Sequence, residues 1–342
     1  MNIKIYTRKN DPNDAVNYYL QLIRQALEER YGACVEPVSS IKDIARDDVV
    51  VTISPAAYFL LLLKNPNQKI IYWFQGIFAE EVAYLYSGLK NALKVKLFTY
   101  LEHHILKHAL LVIFISESMR QYYRRKCGYD KTNYVIIPCF NKQKTDSVSH
   151  ILADNGHKYD RASFVYAGSV NQWQCIEETV YLFSLIKKRI EQATLTLLTA
   201  DKKEAQRIAE AYHVSAEIKY IPLKELDKEL QKYKYGFILR RDIPLNRVST
   251  PTKLSSYLAN GVIPVYSTVI DAFQKPLAGK HYAIPADIND LNGLCERICS
   301  FDSQPVDIDL MEQEYTAVFD SFYNEADYKR LLIRTLDREL DI

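Results

Sequence analysis

FILRRDIPLNRVSTPTKLSSYLANGVIPV, residues 237–265, packs a strand, a polar loop, a helix start and a second strand into one short stretch. Phe237–Leu239 is apolar without alternation, which marks a strand covered on both faces, as in parallel sheets. Arg240 and Arg241 close it. Thr250 is placed as an N-cap, with Pro251 at the first helical position. Gly261 then precedes a second unbroken apolar run, VIPVYS (262–267). Apolar strand, helix, apolar strand is the repeating unit of a doubly wound α/β fold.

The same unit recurs in both directions. Upstream, SFVYAGS (163–169), TLTLLT (194–199), EIKYIP (217–222) and YGFILR (235–240) read as strands. Helical patterns run from Trp173 to Glu191 and over 203–212 and 223–233. In the first half, NIKIYT (2–7), VVVTIS (49–54), KIIYWF (69–74), LLVIFIS (110–116) and YVIIP (134–138) alternate with helical patterns over 15–31, from Pro55, over 80–109 and over 117–127. Between the halves, 141–162 is polar and aperiodic and reads as a linker. The sequence therefore predicts two tandem Rossmann-like α/β domains, 1–140 and 163–310. A charged helical segment, 311–342, follows and is long enough to pack back across the domains. Ligands of such sheets sit outside the carboxyl ends of the strands, so an interdomain cleft is the expected site.

At 342 residues the chain suits two domains, and its 48% apolar and 25% charged residues are those of a soluble globular protein. It has only 10 Gly, and neither GxGxxG nor GxxxxGK[ST] occurs. Phosphates, if bound, are held without a glycine-rich loop. The six scattered cysteines (34, 127, 139, 175, 295 and 299) read as free thiols of a reducing compartment. The chain opens straight into NIKIYT with no signal peptide, and its longest apolar block, AAYFLLLL, is too short to span a bilayer. A cytoplasmic protein is expected.

Three strand ends of the second half carry groups suited to an anion. Gly168 and Ser169 follow the first strand, where a glycine lets backbone N–H groups approach a ligand. Arg240 and Arg241 end a buried strand, so one guanidinium should point into the cleft, where its forked donors suit phosphate; the plainer alternative is a structural ion pair with Asp242. At the third, the first-turn amides, the hydroxyls of Ser249, Thr250 and Thr252, and the Lys253 ammonium converge. In the first half, Gln75, Gly76, Glu80 and Glu81 follow KIIYW, and Glu80 or Glu81 could serve as a base or orient a hydroxyl. His104 and His108 have i, i+4 spacing but lack the Glu of HExxH, so no metal site is expected. From Gly88 to Lys131, nine Lys and Arg face three acids, a basic amphipathic stretch able to rest on an anionic membrane or, as an equal alternative, a solvated helix packed within the domain.

The tandem layout, the GS turn and LRRDIPLNRVSTPTKLSSYLANGVIPV together resemble the nucleotide-sugar-dependent glycosyltransferases of the GT-B fold. They look most like the family-4-like retaining enzymes of bacterial capsule, O-antigen and exopolysaccharide synthesis. The resemblance implies that Arg240 and Lys253 contact the diphosphate of a nucleoside-diphosphate sugar, with Gly168 and Thr250 as backbone or hydroxyl contacts and Asn246 as a matching donor-side residue. It implies transfer to a glycan or lipid-linked acceptor at the inner face of the membrane, with no metal or other cofactor and no nucleic-acid partner. Many members carry a Glu pair in this stretch, where Val248 and Ser256 stand here. Ser256 then keeps only a neutral contact to the ribose. Gln75 stands about where relatives place a His that borders the sugar. A nucleotide-sugar epimerase of the same fold, or a non-catalytic nucleotide-sugar-binding relative, are the alternatives.

Overall fold

The computed structural model describes residues 2–8, 14–32, 35–85, 88–145 and 148–341. Cys34 lies outside them, and the five described cysteines are free thiols. The chain forms two compact units, each built on a parallel six-stranded sheet.

In the first unit the strands are β1 (Ile3–Tyr6), β2 (Glu36–Val38), β3 (Val49–Thr52), β4 (Lys69–Trp73), β5 (Leu111–Phe114) and β6 (Tyr134–Ile136). They lie in the order β2-β1-β3-β4-β5-β6, all parallel. Every residue of β3 and β5 is buried, as the unbroken apolar runs require. The helical pattern over 80–109 forms two helices, Phe78–Leu85 and Leu89–His108, rather than one. The break falls at Gly88, whose φ of 97° no side-chain-bearing residue adopts comfortably. The last helix, Glu325–Leu340, also belongs to this unit and packs on the first, Asp14–Tyr31. Tyr31 Oη donates to Asp337 Oδ1 at 2.7 Å along that seam. The charged tail is thus two helices, Ile308–Phe322 and Glu325–Leu340, parted where Asn324 caps the second through the Asp327 N–H.

In the second unit the strands are β7 (Ser163–Ala167), β8 (Thr194–Leu198), β9 (Glu217–Lys219), β10 (Tyr235–Ile238), β11 (Ile263–Ser267) and β12 (Ile284–Ala286). Their order, β12-β11-β10-β7-β8-β9, is that of a dinucleotide-binding sheet, and it reverses direction between β7 and β10. Phe164 stacks on Tyr235 and Phe237, with ring centroids 4.7 and 5.4 Å apart, in the middle of the core. The polar stretch 141–162 lies in this unit and carries a helix, Val148–Asp154.

The four residues Arg247–Thr250 belong to the first unit although the chain on both sides belongs to the second. Val248 is buried, and its carbonyl accepts from Ser116 Oγ at 2.6 Å. Thr250 Oγ1 accepts from the Cys139 N–H at 2.8 Å. Thr250 is therefore not the helix cap that the sequence suggests. Its oxygen is taken by a distant amide, and the helix starts two residues beyond Pro251, over Lys253–Ala259.

Candidate anion site of the second unit

The reversal point of the second sheet brings Gly168, Gln174, Arg240 and Lys253 together. Beyond β7, the Gly168 N–H still donates to Leu198 O at 2.9 Å, so the strand end is held by pairing. The Tyr166 hydroxyl reaches forward to the Ser169 carbonyl and fixes the turn, and Ser169 Oγ accepts from Asn171 at 3.1 Å. Lys253 Nζ lies 4.2 Å from the centre of the Tyr166 ring, a cation–π contact. A Cβ on Gly168 would stand 2.7 Å from the same ammonium, and its φ of 151° strains any residue with a side chain, so glycine is favoured there.

Arg240 is 3% exposed at the end of β10. Its N–H donates to Ser267 Oγ at 2.8 Å, and Nη1 donates to its neighbour's carbonyl, Leu239 O, at 2.7 Å. Nη2 donates to Gln174 Oε1 at 2.6 Å, and Lys253 Nζ donates to that same oxygen at 2.8 Å. Two cations thus share one neutral amide oxygen. Neither has a carboxylate partner among the described residues. Burial pushes the Arg240 guanidinium down, and burial together with the Arg240 charge holds the Lys253 ammonium well below its usual value. Uncompensated buried charge of this kind is costly and points to an anion that completes the site.

The neighbouring Arg241 turns to Glu178 in an ion pair, which settles which arginine faces the cluster. Gln174 escapes sequence reading. It sits in a single 3-10 turn, Gln172–Gln174, before Cys175 at a left-handed φ of 54°, and no motif marks it.

Other predicted donor-side residues are engaged elsewhere. Asn246 is buried, and its amide donates to the carbonyls of Arg241 at 2.9 Å and Trp173 at 3.4 Å. It holds the loops that carry the cations. Ser256 is buried, with Oγ 2.9 Å from Asn141 Oδ1, so its hydroxyl is already committed. Thr252 stands at the helix start without a side-chain cap bond. Ser249 lies with Thr250 on the segment that belongs to the first unit.

In the first unit, Gln75 and Gly76 follow β4, and the Gln75 amide nitrogen is buried without a partner among the described residues. Glu80 accepts from Tyr122 Oη and from Lys126 Nζ, the latter at 3.1 Å. Burial opposes its charge, but those two bonds win and hold its carboxyl below the usual range. Glu81 has no such partners among the described residues, and burial pushes its carboxyl up. A third carboxylate, Glu102, joins them. It is 1% exposed, accepts from the Ala79 N–H at 3.2 Å and is also pushed up by burial. Its signal in the sequence is being the lone acid of a basic helix, on the side that carries Leu101, Ile105 and Leu106. His104 Nδ1 lies 3.1 Å from Tyr58 Oη.

No family model matches this chain, and no curated protein matches it. Solved structures do. TarM aligns with a TM-score of 0.64 at 9% identity over 86% of this chain, which spans only 55% of TarM's length. A mutant of the S. aureus protein was solved in complex with fondaparinux, α-GlcNAc-glycerol and UDP. An α,α-trehalose-phosphate synthase (UDP-forming) from Burkholderia xenovorans aligns at 0.66, with 10% identity over 98% of this chain and 100% of its own. The sucrose-phosphate synthase of Thermosynechococcus elongatus aligns at 0.65, with 17% identity over 98% and 88%. With its two parallel six-stranded α/β units in tandem, this chain has the GT-B fold.

Proposed function

We propose that this protein is a glycosyltransferase that moves a sugar from a nucleoside-diphosphate sugar to a glycan or lipid-linked acceptor. The observation that carries the reading is the pair Arg240 and Lys253, two cations without a carboxylate, held at the reversal point of a dinucleotide-type sheet. Breaking the glycosidic bond leaves negative charge on the departing diphosphate. Arg240 offers forked donors to those oxygens and Lys253 a point charge, so the charge is met by side chains without a metal ion. Arrival of the diphosphate displaces the Gln174 amide oxygen from between the cations and favours the protonated lysine. The likeness to UDP-forming synthases supports this donor class. On the acceptor side, Glu81, raised by burial and without a partner among the described residues, is the candidate to take or orient the acceptor proton.

The finer parts of the reading are hexosyl transfer with retention, a role in capsule-type surface polysaccharide synthesis, and a place at the inner face of the membrane through 88–131. Melting curves with UDP-, GDP-, dTDP- and CMP-sugars test the donor class. One nucleotide is expected to raise Tm in the native chain and to lose that effect in Lys253→Ala. Absence of any shift with all four donors overturns the reading. Incubation of the stabilising donor without acceptor then separates slow hydrolysis, expected here, from interconversion of the sugar, which would make the protein an epimerase.

A further inference from the structure

Eight of the thirteen large apolar side chains that stand exposed among the described residues fall between Phe59 and Tyr100. Four lie on the helix Leu89–His108: Leu89 (88% exposed), Leu93 (68%), Leu97 (55%) and Tyr100 (64%). Their spacing of four, four and three residues puts them on one side of the helix, while Leu101, Ile105 and Leu106 bury the other. The helix Pro55–Lys64 packs beside it and adds Phe59, Leu60 and Leu63. Its Tyr58 turns inward against His104, with ring centroids 5.9 Å apart, which fixes the outward direction of the rest.

The exposed charge on these two helices has one sign. Lys90, Lys96 and Lys107 are exposed on the longer helix. Its only carboxylate, Glu102, is buried, and Pro55–Lys64 has none. We propose that this face docks on the anionic headgroups of a lipid bilayer, with the leucines entering the headgroup–acyl boundary and the lysines meeting the phosphates. A second copy of the chain fits less well, because isologous pairing would set the same lysines against one another. No helix of the described residues is long and apolar enough to cross a membrane, and the proposed contact is with a surface. The inference deepens the membrane-surface part of the proposed function and rests on it.

Sedimentation with vesicles of phosphatidylglycerol and phosphatidylcholine, without any donor, tests the face directly. Each lysine near an anionic surface strengthens binding by a factor of about five. The K90E/K96E/K107E variant should therefore bind at least about 100-fold more weakly. L93D/L97D should lose at least about tenfold through the apolar contact alone. Both variants alter exposed positions, so their melting temperatures should stay within a few degrees of the native value. Native protein should also prefer the anionic vesicles to pure phosphatidylcholine. Failure of native protein to sediment with anionic vesicles, equal binding by both variants, or a native dimer that L93D/L97D dissociates would each overturn the proposal. Nucleotide affinity, measured on the same variants, should be unchanged and reports separately on Arg240 and Lys253.

Discussion

The second unit gathers two cations at its sheet's reversal point and gives them one amide oxygen to share. The first unit gathers Glu80, Glu81 and Glu102 behind β4 and largely answers them itself, through Tyr122, Lys126 and the Ala79 amide. The difference separates a carboxylate, Glu80, that is answered within its own unit from a pair of cations that lacks its counter-charge among the described residues. An ion-paired group is already stabilised and has little left for a ligand, whereas an unpaired buried cation gains most when an anion arrives. That contrast supports the proposal that Arg240 and Lys253 recognise the nucleotide, and that Glu81, without an ion pair among the described residues, is the working carboxylate of the first unit rather than Glu80.

Removing either cation should have the largest effect. Arg240→Ala and Lys253→Ala should each lower turnover by about 10²–10³-fold, the scale of losing one stabiliser of developing charge. Steady-state kinetics with the donor found by melting curves measures it, and near-native turnover in both variants breaks the comparison at its stronger end. Next, Glu81→Gln should cost about 10²-fold in turnover with nucleotide affinity unchanged. Glu80→Gln should show the smaller loss, and the reverse ranking would make the paired carboxylate the working one. Gly168→Ala places a methyl group 2.7 Å from Lys253 Nζ. It should weaken nucleotide binding about tenfold, or by about 1.4 kcal/mol, as calorimetry would read it.

The smallest effect on nucleotide binding, none, is expected at a buried cation away from the cluster. Lys158 is 4% exposed, donates to Asn260 O, and is lowered by burial to about 7. The folded value lies below the unfolded one, so between about pH 7 and the ordinary lysine range the unfolded chain holds the extra proton. Stability should therefore rise with pH across that window, by at most about 1.4 kcal/mol per pH unit. Lys158→Met should flatten the slope in pH-dependent melting and leave nucleotide binding alone. If it weakens nucleotide binding as Lys253→Ala does, the anion preference is a property of the whole unit and not of the cluster.

Much of the fold is legible because buried parallel strands are written as unbroken apolar runs. The two strands that escape are β2, Glu36–Val38, and β12, Ile284–Ala286, each three residues long with a proline at its centre. Both lie at sheet edges, where a missing N–H is tolerated and where a sequence pattern reads as loop. Arg240, Lys253 and Gly168 are visible from sequence because each occupies the end of a strand or the start of a helix. Gln174 and Glu102 are not, since each acquires its place only through packing. Thr250 shows the opposite error. A hydroxyl before proline looks like a cap, but an amide 111 residues away in the chain takes it.

The pairing of the first helix with the last has a consequence for how the molecule is made. Asp14–Tyr31 packs on Glu325–Leu340, where Leu332 and Leu336 are fully buried, so the unit that begins the chain contains residues near its end. During synthesis the second unit, which starts at Phe140 and closes by Tyr323, has all its residues before the first does. The order of completion is then the reverse of the order of translation. Until the final helix emerges, the part of Asp14–Tyr31 that it will cover stands open, and the nascent chain is then exposed to aggregation there.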